Sequence, residues 1–163
     1  MHHETDFKWL AAECAKTDSF AELVSLALVQ LRKFPNGAGV VCGPISTGGR
    51  GVEQNLKIFS GSIEALKLQN FDIFSQIPYE EKIFAFRRRW QDADPSRAGQ
   101  YYMPILEEFY HPLFHTGLIK KAWFIPGWES SFGATWEREQ LTSLGAEIID
   151  LDENWVEKIL AAA

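Results

Sequence analysis

Cysteine is scarce in this sequence. Cys14 and Cys42 are the whole complement, and each falls among apolar residues that pattern as buried. A disulfide framework is therefore not expected, and a reducing, cytoplasmic setting is. Long apolar runs are lacking too. No stretch reaches the roughly 18 residues of a membrane-spanning helix, and the first residues lack the basic-then-apolar layout of a signal peptide, so neither membrane insertion nor export is expected. Positive charge is in deficit, with 16 Lys and Arg against 22 Asp and Glu and a formal net charge of −6. Such a surface offers no general attraction to a nucleic-acid backbone or an anionic membrane. Neither is expected as a partner, and a small substrate remains open. Internal repeats and low-complexity linkers are missing as well. The 163 residues read as one domain, 1–163, with an extra N-terminal helical segment over about residues 1–36. His2 and His3 are given no role.

What is present is enough apolar material to fold unaided: 46% of residues are hydrophobic and 13% aromatic. Asp18 or Ser19 can cap a helix whose apolar positions Phe20, Leu23, Val24, Ala27, Leu28 and Leu31 recur at helical spacing until Pro35-Asn36-Gly37. Gly39–Cys42 then reads as a strand, Gly43–Gly51 as a glycine-rich loop and Val52–Leu68 as a helix. Phe71–Ser75 reads as a second strand. Pro78, with Glu80 and Glu81 behind it, suits a helix running to about Trp90. Gln91–Gln100 is an exposed loop and Tyr101–His115 a further helix. Ala122–Ile125 is a third strand, Phe132–Leu144 a helix closed by Gly145, Glu147–Leu151 a fourth strand, and Asp152 caps a terminal helix. Strands alternating with helices predict right-handed crossovers, a parallel sheet covered on its faces, and ligands beyond the strands' C-terminal ends.

Two of those ends carry candidate chemistry. Gly43–Gly51 (GPISTGGRG) combines glycines with Ser46, Thr47 and Arg50, so backbone amides, hydroxyls and a guanidinium can face an anion. It is neither a Walker A loop nor a complete dinucleotide fingerprint, and glycine-rich connections also serve simply as tight turns. Pro126–Glu137 (PGWESSFGATWE) places Ser130 and Ser131 where a helix begins, with Trp128 in the preceding loop and Glu137 further along the helix. Residue by residue the ordinary roles compete: serine as cap, Gly133 as a packing point, glutamate as a solvated charge.

Together, CGPISTGGR after the first strand and PGWESSFGATWE after the third resemble the nucleoside 2-deoxyribosyltransferase superfamily. That superfamily includes a nucleoside 5′-monophosphate glycosidase branch and uncharacterised relatives with a G-W-E-x-S-x-G-A-x-x-E-like segment. The resemblance covers roughly Val40–Leu151. It implies an α/β architecture, a flavodoxin- or Rossmann-like three-layer sandwich with a parallel sheet of about four strands in the order 2-1-3-4 flanked by helices. It also implies that Glu137 is the nucleophile on the sugar anomeric carbon. Gly43, Pro44, Ile45, Ser46, Gly48, Gly49 and Arg50 would line the pocket, with Trp128, Ser130, Ser131 and Gly133 on its other side. A serine at position 131 resembles the monophosphate-hydrolysing branch, where it helps hold the phosphate. The expected ligand is a nucleotide or nucleoside, the expected reaction cleavage of its N-glycosidic bond without cofactor or metal, and the expected assembly a homo-oligomer. A departing base needs a proton, so a second acid is expected nearby. Here Lys120-Lys121 stand where such an acid is often found, and the second strand ends in Ser75-Gln76. A nucleotide-binding or sensing domain without turnover is the alternative, and a third reading is an interaction protein that uses the scaffold only, with no selective stabilisation by ligand.

Other features carry less. His111 and His115 have the spacing of a metal pair but lack the glutamate of H-E-x-x-H. Arg87-Arg88-Arg89 reads as a solvated helix face.

Overall fold

The computed structural model describes residues 2–46 and 48–162, with side chains from Phe7 onward. Thr47, one of the hydroxyl residues of the glycine-rich loop, and His2 and His3 as side chains lie outside the described residues. The chain divides into two compact units, Met1–Gln30 with Gln76–Leu113, and Leu31–Ser75 with Phe114–Ala163.

The first unit is helical. Helix α1 spans His2–Lys16, α2 spans Phe20–Leu31, and α4 covers Ile77–Ala93, with α3 (Val52–Leu68) belonging to the other unit. Ser19 caps α2, its hydroxyl accepting from the Glu22 amide at 3.2 Å, as the sequence predicts. Pro78 occupies the first turn of α4, where its missing N–H costs nothing. Lys82 of α4 donates to the Ala15 carbonyl at 3.0 Å, placing a cation at the negative end of α1. Phe20 packs edge-on to Phe86 with ring centres 5.1 Å apart, and Trp90 lies 5.2 Å from Tyr102. Arg88 and Arg89 are exposed, their guanidiniums lying over Phe84 and Phe86. The predicted helix Tyr101–His115 is shorter and of another kind. Pro104 sits at its cap, so helical bonding starts only at Ile105; Ile105–Tyr110 is a wide π-helical segment, and α5 covers just His111–Phe114.

The second unit is α/β. Strands β1 (Ala38–Cys42), β2 (Ile119–Phe124) and β3 (Glu147–Asp150) form a three-stranded parallel sheet in the order β1-β2-β3. Helices α3 (Val52–Leu68), α6 (Phe132–Ser143) and α7 (Glu153–Ala162) flank it. Every residue of β1 is buried although it stands at the edge of the three-stranded order, as suits a parallel sheet covered on its faces. The predicted strand Phe71–Ser75 is not a strand in its own right. It touches the free edge of β1 through one parallel bridge, Gly39 to Ile73, with amide bonds of 2.8 and 2.9 Å. Phe71–Ser75 runs from Asn70, in left-handed conformation after α3, to the residue before the cap of α4. Asp152 caps α7, accepting from the Trp155 amide at 2.8 Å. Trp155 in turn donates to Ser62 of α3 at 2.9 Å, tying α7 to α3. Among the described residues, no helix is long and apolar enough to cross a membrane.

Candidate functional site

The parallel register brings Cys42, Phe124 and Asp150 into one row across the C-terminal edge of the sheet. Helix α6 lies along that row, and two successive residues of it answer the row in turn. Glu137 meets Cys42 of β1, and Arg138 meets Phe124 of β2 and Asp150 of β3. The buried stripe of α6 is Gly133, Ala134, Glu137 and Leu141, so Glu137 occupies a core-facing helical position between alanine and leucine.

Glu137 is 9% exposed. The Cys42 thiol donates to its Oε2 at 3.3 Å, and among the described residues Oε1 has no hydrogen-bond partner. Burial pushes its pKa up to about 7, with the thiol hydrogen bond working weakly in the opposite direction. Burial, reinforced by the neighbouring carboxylate, pushes the Cys42 thiol well above its ordinary range, so it stays protonated and acts as a donor. Arg138 binds Asp150 through both guanidinium nitrogens at 2.6 and 3.1 Å and holds that carboxyl below its usual range. The same guanidinium lies 4.3 Å from the centre of the Trp128 ring, which stands edge-on to Phe124. Trp128 is thus fixed in the loop by a cation on its face.

The two sequence-predicted loops meet. Gly48 and Gly49 both have positive φ, 70° and 62°, a conformation that glycine adopts without strain. This turn brings the Gly49 amide to the Ser130 hydroxyl at 2.9 Å, while Ser130 donates to the Gly127 carbonyl at 2.6 Å. Behind the turn, Asn55 of α3 donates to the carbonyls of Ile45 and Gly48 and accepts from the Arg50 amide, at 3.0 to 3.2 Å and 2.9 Å. Gly43 lets the chain leave β1 beside β2, since a Cβ there would come 2.8 Å from that of Ile125. Pro44 is buried, and Ser46 is exposed.

Other predicted site residues have internal duties. Ser131 is the N-cap of α6, its hydroxyl accepting from the Ala134 amide at 3.2 Å. Arg50 pairs with Glu153 at the start of α7 at 2.6 Å. Gly133 is buried on the stripe of α6. Lys121 pairs with Glu147, its register partner on β3, at 3.5 Å. Between the loops and α7 lies a recess of about 10 Å³, lined in part by Pro44, Gly49, Arg50, Asn55 and Pro126, room for about one water molecule. Among the described residues no cluster of His, Cys, Asp and Glu gathers that could hold a metal ion.

Sequence reasoning did not single out Cys42, Asn55, Arg138 or Asp150. The signal for Cys42 was its place, the last strand residue before the glycine-rich loop. The signal for Glu137 being buried was its spacing from Ala134 and Leu141.

No protein-family model, curated protein or solved structure matches the chain.

Proposed function

We propose that the sheet-bearing unit binds a nucleotide or nucleoside beyond the C-terminal ends of β1 and β2 and cleaves its N-glycosidic bond with Glu137 as nucleophile. The observation that carries this reading is the buried Glu137 carboxyl at the end of a parallel sheet. It faces a thiol rather than a cation, and it ionises near neutrality. A group held so far from its ordinary state, at the ligand end of an α/β sheet, marks a working site more often than a structural one. The sequence resemblance supplies the reaction class. The bridge at Gly39 supports a flavodoxin-like arrangement in which Phe71–Ser75 takes the place of an edge strand next to β1.

In the reaction, a Glu137 oxygen attacks the anomeric carbon as the carbon–nitrogen bond breaks. The bonding pair leaves with the base, which takes a proton from solvent, and an ester joins sugar to protein. Water then adds to the anomeric carbon, gives its proton to solvent, and releases the sugar and the carboxylate. A second reading, binding without turnover, draws on the absence of any carboxylate hydrogen-bonded to Glu137 among the described residues.

Release of free base from a panel of ribo- and deoxyribonucleotides, followed by chromatography, tests the proposal. The wild type is expected to release base from at least one substrate, Glu137→Gln from none, and mass spectrometry should find a sugar adduct on the wild type only. Base release that persists in the glutamine variant overturns the nucleophile role. No release by the wild type, with stabilisation by the same nucleotides, establishes the binding domain.

A further inference from the structure

Cys42 is the last residue of β1, and its backbone is fixed there: the carbonyl accepts from the Ile125 amide at 2.9 Å, and the residue pairs in register with Phe124. Its side chain is 1% exposed. From this fixed point the thiol reaches one oxygen of Glu137, 95 residues further along the chain. Among the described residues, the charged groups around this edge include Arg138 on the same helix and Asp150 on β3, which bind each other through two hydrogen bonds, and Glu129 in the loop after β2, whose charge acts on Arg138. The thiol is therefore the polar contact made by the Glu137 carboxyl.

We propose that Cys42 is a positioning residue for Glu137: it holds Oε2 against the strand end, leaves Oε1 free to meet a substrate, and favours the ionised carboxylate over the neutral acid. A buried thiol suits this task because it is a small donor that remains protonated across the physiological range. An alkyl side chain of similar size would fill the volume and give no donor. A serine would keep the donor on a shorter bond. The consequence for catalysis rests on the reading of Glu137 as nucleophile; the effect on its protonation does not.

The experiment is a titration of the Glu137 carboxyl by carbon NMR on glutamate-labelled protein, assigned by loss of the signal in Glu137→Gln. It is run on wild type, Cys42→Ala and Cys42→Ser. The midpoint is expected to rise by about one unit in Cys42→Ala, the order of a hydrogen bond lost from a charged acceptor, and not to rise in Cys42→Ser. If the alanine variant fails to fold, Cys42→Val keeps the volume and carries the same expectation. An unchanged midpoint in the donor-less variants overturns the proposal, as does an equal rise in Cys42→Ser. Where base release is measurable, loss of the donor should lower kcat at neutral pH about fivefold, move the acidic limb of the kcat profile upward by the same unit, and leave KM nearly unchanged. A protein that releases no base but shows the NMR shift retains the positioning role and loses only the catalytic reading; a fall in KM-dependent rate with an unmoved pH profile overturns the role.

Discussion

Glu137 links protonation to stability. Its pKa in the fold, about 7, stands above the ordinary 4.5, so between those values the folded chain binds the proton more tightly than the unfolded chain. The stability this group contributes is fully present below about pH 4.5 and is lost as pH rises through about 7, a total of about 3 kcal/mol. Glu137→Gln removes that dependence. Urea denaturation from about pH 5 to pH 8.5 should show the variant gaining on the wild type as pH rises, by up to about 3 kcal/mol across the range. A solvated glutamate on a helix surface would instead give parallel curves separated by no more than about 0.5 kcal/mol. Gain of stability on removing a residue is the mark of a group kept for function rather than for the fold. The helical spacing from Ala134 to Leu141 carries a signal for the burial of Glu137, but a glutamate inside a helix is ordinarily a solvated charge and the sequence alone does not choose; its thiol partner has no such signal, because the contact joins residues 95 positions apart.

At the scale of elements, the two loops are held by Asn55 and Ser131. Asn55→Ala leaves the Ile45 and Gly48 carbonyls and the Arg50 amide without their partner. The expected cost is about 2–4 kcal/mol, with amide exchange in the loop rising more than in β1. A cost within about 0.5 kcal/mol would show that the glycines alone set the turn. Ser131→Ala removes the cap of α6 and should cost about 1 kcal/mol by denaturation. It should weaken nucleoside and monophosphate alike, whereas a selective loss of monophosphate binding would show that the serine also holds phosphate. Elements with their own signals were readable from the sequence, among them α3, which fills Val52–Leu68, and α7 behind Asp152. Phe71–Ser75 has the composition of a strand, yet it meets β1 through one bridge, because composition reports a preference for extended backbone and not the pairing it finds. Tyr101–His115 misled because apolar spacing does not distinguish a π-helical turn behind Pro104 from a regular helix. Loop contacts such as Ser130 to Gly49 depend on two strand ends lying side by side, a relation set by the sheet order and not by either loop.

At the scale of the whole molecule, a net charge of −6 repels an incoming nucleotide, though salt near 0.15 M limits this field to about 8 Å. On the proposed reading, what decides phosphate binding is the local charge at the loop. There Arg50 is the cation of the glycine-rich turn, and Glu153 at the head of α7 already holds it at 2.6 Å. A phosphate arriving at this turn must compete with that carboxylate. Glu153→Gln removes the competing charge, lowers the net negative charge and leaves the Asp152 cap of α7 in place. Both partners of the pair are largely exposed, so its strength is within about 1 kcal/mol, which corresponds to a gain of up to about fivefold in monophosphate affinity. Thermal unfolding with a nucleoside and with its 5′-monophosphate at matched concentrations measures it. The variant should widen the gap in Tm shift between the two ligands, and the widening should shrink in high salt. An equal shift for both ligands in wild type and variant would place the phosphate away from Arg50 and remove the glycine-rich turn from the anion site.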